Sequence, residues 1–210
     1  MNKFYSFISA TCSSLVKFLF KVKVEGLENE PAEGGVLVCS NHISFWDVAI
    51  IGAVLNRQVR FFAKKEVFHT PILRHFAKAM GAFPVDRKSP ASAALAVRYT
   101  VNLVTEGEMV GIFPQGTRCS KVDPRETDIK NGVGQIVYRS GVTVLPVCIQ
   151  TKKWKASLFR RTYVRIGKPI SADQLIVGEG NQAEYSRVAH TVFDSITSMI
   201  EDPVSKKDGN

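Results

Sequence analysis

The chain has 210 residues, 45% hydrophobic and 22% charged, the composition of one globular domain with room for a substantial core. A formal net charge of +9 points to an anionic partner (phospholipid surface, nucleic acid or acidic protein), although solubility alone would also account for it. Four scattered cysteines without Cys-x-x-Cys spacing and four histidines without His-Glu-x-x-His exclude the common zinc sites, so no metal is expected.

Residues 3–21 plot as an amphipathic helix at about 100° per residue. Phe4, Ile8, Leu15, Phe18 and Leu19 share one side; Lys3, Ala10, Ser14, Lys17 and Lys21 share the other. Lys17 and the serines make the stretch too polar to span a bilayer, and no small-residue cleavage site follows it. A basic face opposite a Phe-rich one suits a helix lying in an anionic membrane interface; the alternative is a helix packed on its own domain. Segment 1–21 is therefore expected to associate with membrane, 22–202 to form the folded domain, and 203–210 to be a disordered tail.

A short strand near Lys23 leads through a Pro/Gly loop to the apolar run Gly35–Ser40, a buried strand, and Val48–Leu55 is apolar enough for a buried helix. Val59–Ala63 reads as a strand, Ile72–Met80 as a helix ended by Gly81, and 81–87 as an extended segment. Ser92–Glu106 reads as a helix with Leu95, Tyr99 and Leu103 inward, stopped by Gly107. Met109–Phe113 is strand-like, 119–131 a polar loop, Gly132–Ser140 a helix and Val142–Gln150 a strand holding Cys148, as Gly35–Ser40 holds Cys39. Basic, alternating Lys152–Ile166 suggests an edge hairpin, and Gln182–Ile200 a helix with Val188, Val192, Phe193, Ile196, Met199 and Ile200 on one face. Strands alternating with helices predict an α/β fold: a mixed, largely parallel sheet flanked by helices, with the amphipathic helix at its start.

Two stretches carry chemistry. In Asn41-His42-Ile43-Ser44-Phe45-Trp46-Asp47 a histidine and a carboxylate fall where a strand ends and a helix begins. Within one helix, residues five apart lie about 140° around the axis, so the two meet only if His42 is in the loop and Asp47 in the first helical turn. Ser44-x-x-Asp47 before an apolar run is a capping-box pattern. An Asp accepting the imidazole N–H would leave the other ring nitrogen free as a general base. The same residues also accommodate a plain cap, with His42 filling a turn. The second stretch, Gly111–Arg118, resembles a phosphate loop but lacks the P-loop lysine and contains Pro114. Gly-Thr-Arg at a strand end still offers an anion backbone N–H groups, a hydroxyl and a forked guanidinium. Arg87 and Lys64 are further anion contacts in prospect, and without a Gly-x-Ser-x-Gly elbow a serine mechanism has no support.

Together, NHISFWD, GAFPVDR, FPQGTR and VLPVCI resemble, in order and spacing, the four blocks of the glycerolipid acyltransferase family, with bacterial 1-acyl-glycerol-3-phosphate acyltransferases of the PlsC type the nearest likeness. The blocks run from about Val36 to Ile149, and the family's usual Glu is replaced by Gln115. The resemblance implies an acyltransferase domain over 22–202, joining an acyl thioester to the free hydroxyl of lysophosphatidic acid and giving phosphatidic acid. His42 would be the base and Asp47 its orienting partner; Arg87, Gly116, Thr117, Arg118 and Lys64 would meet the acceptor phosphate. Asn41, Gln115 and Pro146 would line the substrate site, with Val144 and Leu145 supporting the acyl side. No cofactor is implied, only acyl carrier protein or coenzyme A thioester as co-substrate, at the cytoplasmic face of a cell membrane. Within that chemistry the acceptor could instead be glycerol-3-phosphate or another lysolipid. A non-catalytic basic membrane-binding or nucleic-acid module would need aromatics interleaved with Lys and Arg on an exposed face; most aromatics here fall in apolar runs, so no nucleic-acid partner is expected.

Overall fold

Strand β2 (Val36–Ser40) is buried at every position, which explains its unbroken apolar sequence: a central parallel strand covered on both faces has no solvent side. The structure, a computed structural model, describes residues 13–64, 74, 83–85 and 90–202. Around β2 are β1 (Val22–Glu25), β3 (Val59–Lys64), β4 (Phe83–Val85), β5 (Met109–Ile112), β6 (Thr143–Gln150) and β7 (Thr162–Ile166), in the order β1-β7-β6-β2-β5-β3-β4. Every described pairing is parallel except β6 with β7, so the expected mixed, largely parallel sheet is observed.

The helices are α1 (13–19), α2 (Asp47–Val54), α3 (Pro90–Thr105), α4 (Gly132–Ser140), α5 (Ala172–Leu175) and α6 (Gln182–Thr197). Leu37 and Cys39 of β2 point into a core with Leu103 of α3, Ile136 of α4 and Val192 and Ile196 of α6. Val36 and Val38 point the other way, onto Ile50, Ile51 and Val54 of α2 and onto Phe20 just after α1. The period-2 alternation of a strand thus distributes one apolar run between two helix layers. Burial pushes the Cys148 thiol up to about 12 and that of Cys39 higher still, so both behave as small apolar side chains.

Two expectations need correction. In α3, Leu103 is buried, but Leu95 and Tyr99 are 64% and 41% exposed. Positions four apart drift about 40° around a helix, so Leu95, Tyr99 and Leu103 do not form one stripe. The inward face is Ala96, Val97, Thr100, Leu103 and Val104, and its small residues leave space against the sheet. Nor is there a hairpin over 152–166: residues 151–161 form an irregular loop, and β7 lies inside the sheet between β1 and β6. Apart from residue 74, the helix expected over 72–80 falls outside the described residues, as do the first twelve residues, the tail 203–210 and Arg87.

Candidate active site

β2 and β5 are parallel neighbours with Cys39 opposite Ile112, so the residues three further along each strand, His42 and Gln115, leave the same sheet edge side by side. The loop after β5 turns tightly, with the Gly116 N–H donating to the Phe113 carbonyl at 2.9 Å. Pro114 and Gly116 occupy the second and fourth positions, where such turns favour proline and glycine, and Gly116 adopts a φ of +69°. The turn sends the Gln115 side chain back toward β2. There its Oε1 accepts the His42 backbone N–H at 2.6 Å, and its Nε2 donates to Thr127 Oγ1 at 2.8 Å. The Thr127 hydroxyl donates in turn to the Pro124 carbonyl at 2.7 Å, and the His42 carbonyl accepts from the Cys119 N–H at 2.8 Å. The second motif is the mounting of the first.

His42 and Asp47 meet as their spacing requires, with His42 in the loop and Asp47 opening α2. Nδ1 lies 2.8 Å from Asp47 Oδ2, which also accepts the Ile43 and Ser44 backbone N–H groups at 2.7 Å each. Those two donors demand an acceptor oxygen, so the proton of the pair sits on Nδ1 and Nε2 is left to take one. The Ser44 hydroxyl accepts the Trp46 N–H at 3.3 Å, so only the Asp47 half of the expected capping box is made. Asp47 is fully buried, and among the described residues no donor reaches its Oδ1. Burial pushes its carboxyl above the ordinary carboxylate range, while the hydrogen bonds from His42, Ser44 and Ile43 pull the other way.

The imidazole lies flat on Phe113, ring centres 3.9 Å apart and planes 11° apart, and Phe113 stacks in turn on Phe61 at 5.7 Å. Phe61 crosses β5 at Gly111, where an added Cβ would stand 2.1 Å from the ring, so only glycine admits the stack. His42 forms part of the wall of a cavity of about 900 Å³ between the sheet edge, α3 and the start of α4. Phe62, Ile112, Ala96, Val97, Val133 and Ile136 make most of it apolar, and Gln115, Gly116, Thr117 and Lys130 supply its polar end. Its size and lining are those of a site for a mainly apolar ligand with a polar head. Among the described residues, no group of three or more His, Cys, Asp or Glu side chains is placed to hold a metal ion.

The acyltransferase family profile matches residues 21–150, more than half of the chain. The chain belongs to the acyltransferase family. It is 32% identical over 169 residues to the 1-acyl-sn-glycerol-3-phosphate acyltransferase of Bacillus subtilis (strain 168), covering 79% of this chain and 82% of that one. The enzyme of the same name from Borreliella burgdorferi is 28% identical over 193 residues, 89% of this chain and 71% of its own. The crystal structure of the 1-acyl-sn-glycerophosphate (LPA) acyltransferase PlsC from Thermotoga maritima has the same fold, with a TM-score of 0.71 over 93% of this chain and 79% of that chain at 23% identity.

Within this acyltransferase, His42, Asp47, Gln115, Gly116 and Thr117 come together at one sheet edge. Exposed Arg118 points outward, its guanidinium carbon 6.0 Å from the centre of the Phe45 ring. Lys64 ends β3, where its backbone pairs with Val85, two residues before Arg87. Asn41 and Pro146 are not among the residues that line this cavity. Both ends of the Asn41 amide are taken by the Ile149 main chain at 2.8 Å, extending the β2–β6 ladder with a side chain. Pro146 is buried within β6 and packs toward Gly167. Val144 and Leu145 are core residues on opposite sheet faces. Phe113, Thr127 and Lys130 were not singled out from the sequence. An aromatic before Pro-Gln-Gly hints at Phe113, whereas a threonine and a lysine in a polar loop carry no signal of their own.

Proposed function

We propose that this acyltransferase transfers an acyl group from an acyl thioester to the sn-2 hydroxyl of 1-acyl-glycerol-3-phosphate, producing phosphatidic acid. The observation that carries the reading is the His42–Asp47 pair in the wall of an apolar cavity with a polar end; the names of its relatives supply the acceptor. As the hydroxyl oxygen attacks the thioester carbonyl, its proton passes to His42 Nε2 and Asp47 balances the imidazolium. When the tetrahedral intermediate collapses, the C–S bond breaks and the leaving thiolate takes that proton back. A new ester, a free thiol and the starting form of His42 remain, with no acyl-enzyme and no cofactor.

The donor acyl chain lies in the apolar cavity against α3, and the acceptor phosphate meets Thr117, Gly116 and Arg118, with Lys64 and Arg87 as further cations. The donor is the thioester of acyl carrier protein or of coenzyme A, and the enzyme works on an anionic membrane at its cytoplasmic face. Among the described residues no helix is long and apolar enough to cross a membrane. The deciding experiment offers purified protein lysophosphatidic acid and glycerol-3-phosphate in parallel, each with both donors, beside a His42→Ala control. Acylation of lysophosphatidic acid that disappears in the control is expected. Transfer to glycerol-3-phosphate alone would replace the acceptor, and transfer that survives His42→Ala would overturn the mechanism.

A further inference from the structure

The loop 151–161 follows the end of β6 at which His42 leaves β2, and β1 and β7, which run opposite, begin at that same edge. The end of α1, the loop and the Phe45–Trp46 corner are therefore neighbours. The Phe159 N–H donates to the Leu19 carbonyl at 2.6 Å, the Phe20 and Trp46 rings are 5.4 Å apart, and Phe45 and Trp46 stand edge to face at 5.6 Å.

Three features of this face are out of the ordinary. Of the ten large apolar side chains exposed among the described residues, six are here: Leu15, Phe18, Phe45, Trp46, Leu158 and Phe159. Within the loop, Leu158-Phe159 is bracketed by Lys152, Lys153 and Lys155 on one side and Arg160 and Arg161 on the other, all exposed and with no acidic residue among them. The four non-glycine residues with positive φ among those described, Lys21, Lys121, Trp154 and Phe159, are also here. Lys21 lies two residues beyond the end of α1, and the Lys121 N–H donates to the Trp154 carbonyl. Such backbone persists only where the surroundings fix it, and it gathers at functional surfaces.

The loop is anchored while its tip is bare. Ala156 is buried, Trp154 packs on the core cluster that includes Phe20, and the Lys155 N–H donates to Thr151 Oγ1. Among the described residues nothing comparable covers Leu158 and Phe159, which are 50% and 56% exposed. A fixed apolar tip flanked by cations matches the layering of an anionic bilayer, with acyl chains beneath phosphate headgroups.

We infer that Leu158 and Phe159, together with the outer side of α1 and Phe45–Trp46, form a second membrane-insertion element that seats His42 at the headgroup level of an anionic phospholipid surface. It rests on the membrane reading above and adds an anchor outside residues 1–21. Both tryptophans of the chain, Trp46 and Trp154, belong to this face and serve as reporters.

The test uses the full chain and vesicles of equal parts phosphatidylcholine and phosphatidylglycerol, with brominated acyl chains in one series. Native protein should bind, brominated lipid should quench its tryptophan emission, and Leu158→Ser/Phe159→Ser should bind at least about tenfold more weakly. Both side chains are half exposed, so the serines leave the core intact, and activity on a short-chain acceptor free in solution should be retained. Reversing Lys152, Lys153, Arg160 and Arg161 to Glu should weaken binding most at low salt. A native chain that ignores the vesicles would end the membrane reading and this inference together. Native-like vesicle binding by the serine variant would overturn this inference alone. Unchanged vesicle binding with a raised KM for an acyl carrier protein donor would overturn it in favour of a carrier-docking surface.

Discussion

Gln115 Oε1 holds the backbone N–H of His42 at 2.6 Å and its Nε2 reaches Thr127, so the residue that stands where the family resemblance implies a glutamate braces the base. Thr127 completes the arrangement by accepting from the amide nitrogen while donating to Pro124. A carboxylate would keep the bond to His42 but would present a second acceptor to Thr127, whose proton would have to turn away from Pro124. Gln115→Glu should therefore leave kcat/KM within a few-fold of native. A tenfold gain, about 1.4 kcal/mol of transition-state stabilisation, would show that charge matters more than geometry. Gln115→Leu orphans a buried N–H at a cost of about 1–3 kcal/mol and should lower kcat more than it raises KM. Thr127→Val should do the same more mildly, with Thr127→Ser restoring the native value.

His42→Ala should fold normally and lose about 10²–10⁴ in kcat, the usual contribution of a positioned general base. Asp47→Asn is the more discriminating change. An amide oxygen in the Oδ2 position keeps the acceptor for Ile43, Ser44 and His42, and the amide nitrogen falls where Oδ1 has no partner. The charge is lost and an amide NH2 is buried in place of Oδ1, so a stability loss of about 1–3 kcal/mol is expected beside a drop in kcat of at least about tenfold in the folded protein. A variant as active as native would mean that Asp47 acts only as a helix cap.

Gly111→Ala tests the aromatic shelf beneath the imidazole. Its Cβ would lie 2.1 Å from the Phe61 ring, which stacks on Phe113. Overpacking of this kind costs about 1–3 kcal/mol, and the displacement should pass through Phe113 to His42. Reduced stability by urea unfolding, with reduced kcat in the folded fraction, is expected; loss of stability alone would disconnect the shelf from the base.

How far the sequence reveals these features depends on whether a signal is local. Helix geometry over six residues sets the condition on which His42 and Asp47 meet, leaving a plain cap open, and the largely parallel sheet follows from strands alternating with helices. The pairing of Gln115 with His42 joins residues 73 apart and depends on β2 and β5 becoming neighbours, which no local pattern encodes. The same holds for Asn41, whose amide completes a strand ladder with Ile149, 108 residues away. In α3, the spacing of Leu95, Tyr99 and Leu103 suggests a stripe, while burial follows the smaller Ala96, Val97 and Thr100, because that side of the helix faces a cavity.

Arg118→Ala should raise the KM for the phosphate-bearing acceptor with little change in kcat. Charge-assisted contacts are worth about 1.5–3 kcal/mol each, and the exposed position of Arg118 places its effect at the lower end. Steady-state kinetics varying each substrate separately will decide it. A change confined to the donor KM would reassign this arginine to the thioester carrier.

Ala96 tests where the donor acyl chain lies. It is on the α3 face turned toward the sheet and lines the cavity with Val97 and Thr100, and its small side chain is part of why the cavity exists. Ala96→Phe would fill that space with an aromatic ring while leaving the polar end at Gly116 and Thr117 untouched. Because the ring enters a cavity and not a packed core, the cost to stability should stay below that of Gly111→Ala. Each methylene denied burial loses about 0.8 kcal/mol, roughly fourfold in kcat/KM. The variant should therefore discriminate against long donors in steps of that size, while short donors react almost as with native protein. The measurement is the ratio of kcat/KM for a long and a short acyl-CoA in both proteins. A folded Ala96→Phe enzyme with the native ratio would place the donor chain elsewhere and leave this cavity to the acyl chain already on the acceptor, which a second series varying lysophosphatidic acid chain length would then reveal.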